Sequence, residues 1–171
     1  MDLKAYIRDV PDFPKPGVLF KDITPLLADP KAFAFAVAAM SGHFAGREID
    51  VIAAAEARGF LFAAPMALEL RRPLVPLRKP GKLPYQTHSA SYDLEYGSAE
   101  LHVHIDGVSP GASVLLVDDV LATGGTMAAA CKLIEKAGGT VAGCAFLVEL
   151  TFLGGRARLK PADVFSLIQY G

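Results

Sequence analysis

The chain has 171 residues, room for one domain with a full core and too few for two ordinary ones. Hydrophobic residues make up 52% and charged residues 20%, which excludes a disordered chain. With 17 basic and 18 acidic residues the formal net charge is -1, without the basic surplus of a non-specific nucleic-acid binder.

No segment reaches the roughly 20 apolar residues of a membrane span. The longest, FLFAAPMALEL, is interrupted by Pro65 and Glu69, and the opening MDLKAYIRDV lacks the apolar core of a signal peptide. Cys131 and Cys144, both in apolar surroundings, argue against a disulfide framework or zinc site and for a cytoplasmic location.

In chain order, the N-terminal VPDFPKPGVLFKDITPLL reads by itself as a stiff surface loop, set by Pro11, Pro14 and Pro16, leading to core residues. Asp29 and Pro30 then predict a helix start, and Phe33, Val37, Met40 and Phe44 recur on one face of the helix. IDVIAAA (49–55) is a predicted strand, and GFLFAAPMALELRR a helix with Pro65 as a kink or irregularity. PLVPL (73–77) is a second strand.

RKPGKLP, basic and rich in Pro and Gly, predicts a mobile loop. Beyond it Ser91, Asp93 and Glu95 alternate with Tyr92, Leu94 and Tyr96, and Leu101, Val103 and Ile105 with His102 and His104. That pattern predicts a hairpin with one wet face, turning at YGS. SVLLV (113–117) is a buried strand, GTMAAACKLIEKAGG a helix closed by Gly138 and Gly139, TVAGCAFLVEL (140–150) a strand, and DVFSLI (163–168) the last one.

Strands that are apolar on both faces and alternate with helices predict an α/β fold: a mostly parallel twisted sheet flanked by helices. Such sheets bind ligands beyond the carboxyl ends of their strands, here just after residues 55, 77 and 117. The third place is chemically unusual. VLLVDDVLATGGTM ends a buried strand on Asp118 and Asp119, then runs through Ala122, Thr123, Gly124, Gly125 and Thr126 into a helix. Neighbouring carboxylates repel, and on a regular strand they point to opposite faces, so both reach one ligand only through a local twist. Their useful work is to accept hydrogen bonds from a diol or to lie near hydrated magnesium. The bare loop and helix start make a phosphate cradle. EARG (56–59) by itself is a salt-bridged turn, and RKPGKLP a solvated basic loop.

The fourteen-residue run resembles the phosphoribosyl-diphosphate signature of type I phosphoribosyltransferases. That family joins a base to the ribose C1 of 5-phosphoribosyl 1-diphosphate and releases diphosphate with magnesium. VPDFPKPGVLFKDITPLL, AEARGFLF, LRKPGKLP…SYDLEYG and LVELTFLGGR resemble its adenine-using branch, so the likeness spans nearly the whole chain. It implies a single domain over 1–171, with 1–27 a hood over the base and 78–104 a lid loop and hairpin. Asp118 and Asp119 would hold the ribose hydroxyls, and residues 122–126 the 5-phosphate. Phe20 would stack on adenine, Leu19 and Lys21 would read its edge through their backbones, and Leu153 would close the other side. Backbone amides of Ala57 and Arg58, with Glu56 beside them, would face diphosphate, and a cis Glu56–Ala57 peptide would be consistent with that use. Arg78 and Lys82 would contact the diphosphate from the lid as catalytic residues, one of them from the partner of a homodimer, and Lys79 would bind substrate beside them. Glu95 would handle the purine proton, with Tyr96 beside it.

The implied reaction is purine salvage: adenine and the sugar diphosphate give AMP and diphosphate. Magnesium would ride on the substrate, with no ligand supplied directly by the protein. The alternatives are a 6-oxopurine transferase for hypoxanthine, guanine or xanthine, and a non-catalytic nucleotide-sensing regulator. Neither nucleic acid nor membrane is an expected partner.

Overall fold

The computed structural model describes residues 1–94 and 97–171. A 3-10 turn, Leu3–Tyr6, leads into β1 (Arg8–Pro11) and β2 (Leu19–Asp22), which pair antiparallel from Arg8↔Asp22 to Pro11↔Leu19. The proline-rich opening is therefore a ribbon rather than only a loop. Two backbone features close its turn: Asp12 takes a positive φ of 56°, and its carboxylate accepts from the Gly17 amide at 2.7 Å.

Helices α1 (Thr24–Ala28) and α2 (Pro30–Phe44) follow. Asp29 caps α2 as its position predicts, accepting from the amides of Lys31 and Ala32 at 2.9 and 2.8 Å. Of the predicted face, Val37, Met40 and Phe44 are buried and Phe33 partly so. Next come β3 (Val51–Ala55), α3 (Gly59–Leu70), which carries Pro65 inside it, and β4 (Leu74–Leu77).

β5 (Thr87–Leu94) and β6 (Gly97–His104) form the hairpin. Leu94 pairs with Gly97, so Gly97 and Ser98 belong to the second strand and not to the turn that YGS suggested. Leu101 and Val103 are buried against the core, whereas Ile105, one residue past the strand, is exposed. Then come β7 (Ser113–Leu121), α4 (Gly125–Lys136), β8 (Thr140–Leu150) and β9 (Val164–Tyr170). Two 3-10 turns, Thr151–Leu153 and Gly155–Leu159, join the last two strands.

The central sheet has the order β4-β3-β7-β8-β9, all parallel, as both-face apolar strands require. Side chains alternate between two cores. Ile52, Ala54, Leu115, Val117, Ala145 and Leu147 face α2 and α3, while Val51, Ala53, Val114, Leu116, Cys144 and Phe146 face α4 and the hairpin. β7 runs four residues beyond the predicted 113–117. Parallel pairing with β8 continues through Asp118↔Phe146, Val120↔Val148 and Leu121↔Glu149, although the pairing with β3 ends at Ala54↔Val117. The two acids therefore lie within a strand, past the point where pairing with its other neighbour ends. No helix among the described residues is long and apolar enough to cross a membrane.

Candidate active site

The carboxyl ends of β3, β4 and β7 enclose a cavity of about 360 Å³. It brings together Glu56, Ala57, Arg58, Lys79, Asp118, Asp119 and Thr126, all predicted site residues, with Tyr92, Leu101 and Val120. A smaller cavity of about 90 Å³ continues along residues 120–127 and shares Asp118, Val120 and Thr126 with the first. Ala122, Thr123, Gly124 and Gly125 line only this second one.

Both acids thus face one site, although a regular strand would oppose them. The β7–β8 ladder keeps its register through this stretch, and it is the Asp118 carboxylate that folds back, accepting from the Asp119 amide at 2.9 Å. Asp118 lies under the first residue of α3, where a Cβ on Gly59 would stand 3.0 Å from its Oδ1 and from the Val117 carbonyl. Burial first, and the Asp119 charge second, push the Asp118 carboxyl well above the usual carboxylate range. Asp119, 4% exposed, is hydrogen-bonded and ion-paired through Oδ2 to Arg58 Nε.

Arg58 also lies over the Phe20 ring, Cζ 5.5 Å from the centroid, so one guanidinium links the ribbon's Phe20 to Asp119. Phe13 packs edge-on against Phe20 with centroids 5.0 Å apart. The Lys21 ammonium is turned elsewhere, 2.6 Å from Asp9 and 4.1 Å from the Tyr170 ring centroid, which leaves only its backbone for a base. Among the described residues β2 pairs with β1 along one edge and with no strand along the other. Leu19 and Leu153 are both exposed and lie outside the two cavities.

The Glu56–Ala57 peptide is cis. The Glu56 carboxylate accepts from the Lys79 amide at 2.7 Å and stands 3.4 Å from Arg78 Nε, so it ties the strand end to the start of the basic loop. Arg78 bridges to His102 through paired backbone hydrogen bonds of 2.9 and 2.7 Å. Lys82 is exposed and outside the cavities. Glu95 and Tyr96 lie outside the described residues.

At the phosphate loop, Gly124 takes φ 79°, and α4 starts at Gly125. The first amides of a helix have no partner within it, so they point out of the loop as anion donors. The donor set also bears on magnesium. Glu56 and Asp119 are engaged with cations, Asp118 forms no ion pair, and no group of three or more His, Cys, Asp or Glu is placed to hold a metal among the described residues. One carboxylate in a phosphate-sized cavity fits an ion whose other ligands are water and substrate oxygens.

Sequence reasoning missed three features: Tyr92 and Leu101 in the cavity wall, the reach of Arg58 to Asp119 and Phe20, and a pair between the buried Glu149 and the half-exposed Arg156 behind the 122–126 loop. Only the last left a signal, the Gly154-Gly155-Arg156 run after a strand.

Fold and loop together define a phosphoribosyl transferase: the family model of the phosphoribosyl transferase domain matches residues 24–168, and the chain belongs to that family. Within it the chain is similar to adenine phosphoribosyltransferases. The adenine phosphoribosyltransferase of Maridesulfovibrio salexigens is 58% identical, over 99% of each chain. The crystal structure of the adenine phosphoribosyltransferase from Thermoanaerobacter pseudethanolicus superposes with a TM-score of 0.96 at 53% identity, over 99% of this chain and 98% of that one. The Saccharomyces cerevisiae adenine phosphoribosyltransferase, complexed with an imino-altritol bisphosphate and adenine, gives 0.93 at 39% identity over 97% and 96%. The adenine phosphoribosyltransferases are its branch of the family.

Proposed function

We propose that this chain makes AMP and diphosphate from adenine and 5-phosphoribosyl 1-diphosphate, a purine-salvage reaction. The single observation that carries the reading is the convergence of Asp118, Asp119 and Thr126 with the 56–58 turn on one cavity, continuous with the bare phosphate loop.

The sugar diphosphate enters with its 5-phosphate on the amides and hydroxyls of residues 122–126. Its ribose hydroxyls donate to Asp118 and Asp119, replacing Arg58 on Asp119. The released guanidinium and the amides of Ala57 and Arg58 then face diphosphate, with Glu56 anchoring Lys79 beside them. Arg78, Lys79 and Lys82 close over the leaving group as the lid. Adenine stacks on Phe20, reads the backbones of Leu19 and Lys21, and is covered by Leu153. The bond from C1 to diphosphate oxygen breaks and its electron pair leaves with diphosphate. The purine nitrogen donates its pair to C1, and Glu95 accepts the imidazole proton, with Tyr96 alongside. Magnesium would enter with the substrate near Asp118, and when bound it would supply positive charge to the departing diphosphate. The remaining contribution of the protein is placement and fixed electrostatics.

The domain divides functionally into a hood at 1–27 and a lid with hairpin at 78–104. The working form is a homodimer: Leu61 and Leu68 on α3 and Leu74 on the edge strand β4 are large exposed apolar residues that a second copy would cover. One lid cation of each site comes from the partner. The enzyme works in the cytoplasm, where thiols such as Cys131 and Cys144 stay reduced.

The test is to incubate adenine, hypoxanthine, guanine and xanthine separately with the sugar diphosphate and magnesium. AMP from adenine alone is expected; a monophosphate from a 6-oxopurine in its place would move the chain to the alternative specificity.

A further inference from the structure

Between β8 and β9 the chain writes ELTFLGGR, with an acid and an arginine seven positions apart and two glycines before the arginine. The two 3-10 turns there bring Gly155 against the back of the phosphate loop. The contact is backbone on backbone: a Cβ on Gly155 would stand 2.2 Å from the Ala122 carbonyl and 2.9 Å from the Gly124 amide. A Cβ on Gly124 would stand 2.6 Å from the Gly155 carbonyl. Neither position admits a side chain, so the outer wall of the 122–126 loop is the 154–155 backbone.

The next residue, Arg156, is fastened to the sheet. Its Nε and Nη2 take both carboxylate oxygens of Glu149 at 3.0 and 2.5 Å. Nη1 donates to the Val164 carbonyl at 2.6 Å, and Nη2 also reaches the Ser166 hydroxyl at 3.4 Å. Glu149, 4% exposed, pairs in register with Leu121, the last residue of β7 before the loop. Neither partner lines either cavity of the active site. A two-pronged arginine–carboxylate contact fixes direction as well as distance, which a lysine point charge does not.

Resting on the reading of 122–126 as the 5-phosphate site, we propose that the Glu149–Arg156 pair is a positioning device. It holds residues 151–159 so that Gly155 sets the width of the phosphate loop. Leu153, three residues before Arg156, rides on the same segment, so the wall over the base and the cradle under the phosphate keep one separation. Arg156 and Glu149 act through Gly155 and touch no substrate. A mainly stabilising role predicts a different result: Leu159 is buried in the core and already anchors the segment, so losing the pair would lower the melting temperature and leave substrate affinities alone.

The experiment compares Arg156→Lys, Glu149→Asp and Gly155→Ala in the full chain, reading Tm, KM for each substrate and ribose 5-phosphate binding. Expected for the folded variants is a rise of about tenfold or more in KM for the sugar diphosphate, matched by weaker ribose 5-phosphate binding. Gly155→Ala combined with Arg156→Lys should be no worse than the poorer single variant, because both act on one contact. Guanidinium added to Arg156→Ala should recover part of the lost affinity. Glu149→Asp, which only shortens the arm, serves if the arginine variants do not fold. Unchanged KM for the sugar diphosphate and unchanged ribose 5-phosphate binding, with only Tm reduced, overturns the proposal. Thr126→Val separates the two failures. If it too leaves ribose 5-phosphate binding intact, the cradle reading itself falls, and this inference with it. If it weakens binding while the brace variants do not, the brace alone is wrong.

Discussion

The two ends of the active site are built by opposite means. The proposed sugar-phosphate end is one contiguous run, 118–126, carried on a largely buried central strand and the helix that follows it. The proposed base end is gathered from β2 and Leu153, pieces far apart in sequence, with Leu19 and Leu153 both exposed. In the proposed reading the phosphorylated pentose would meet core backbone, and the base would meet peripheral elements that can vary without disturbing the sheet. Arg58 is where the ends touch, through Asp119 on one side and Phe20 on the other.

The comparison breaks most sharply at the acids. Asp118→Asn together with Asp119→Asn should raise KM for the sugar diphosphate at least about a hundredfold, since hydrogen bonds to charged groups contribute about 1.5–3 kcal/mol each. Near-normal affinity for it would refute the diol assignment. Next in size, Glu95→Gln should cut kcat roughly a hundredfold with both KM values held, as loss of a positioned base does. Unaltered turnover removes Glu95 from the proton path.

Phe20→Ala tests whether the ends are separable. Stacking on a nucleobase is worth about 1–3 kcal/mol, so KM for adenine should climb tenfold or more while that for the sugar diphosphate stays put. Parallel losses in both would mean that the ribbon supports the whole site through Arg58.

The smallest effect is on stability. The folded-state pKa of Asp118 is raised by burial and by Asp119, so its ionisation opposes folding. That penalty is absent below the unfolded carboxyl value of about 4 and grows as pH rises towards the folded value. Asp118→Asn should therefore melt higher than the parent at neutral pH and match it in acid. Equal melting curves at every pH would show that the Asp118 charge is accommodated without cost.

Much of this was legible because it is local. Asp29 and Pro30 announce α2, strands apolar on both faces and alternating with helices announce the parallel sheet, and ATGGT announces the bare turn into α4. β7 was read four residues short because paired aspartates look like a strand end, and only β8 running alongside keeps the ladder going to Leu121. The prolines hid the β1–β2 ribbon, whose pairing joins residues up to fourteen positions apart and carries no periodic signal. Lys21 could be placed in the site region, but not the turning of its ammonium to Asp9 and Tyr170.

By itself the sequence determined the order of elements, the two cores and the chemistry of the phosphate loop. These follow from hydrophobic period, capping and bare backbone, properties that neighbouring residues decide among themselves. Tertiary structure alone decided which charges meet: Arg58 on Asp119, Arg78 near Glu56, Arg156 on Glu149, and Gly155 against Gly124. Such contacts depend on distances between strand ends, which the sheet register sets and no local pattern encodes.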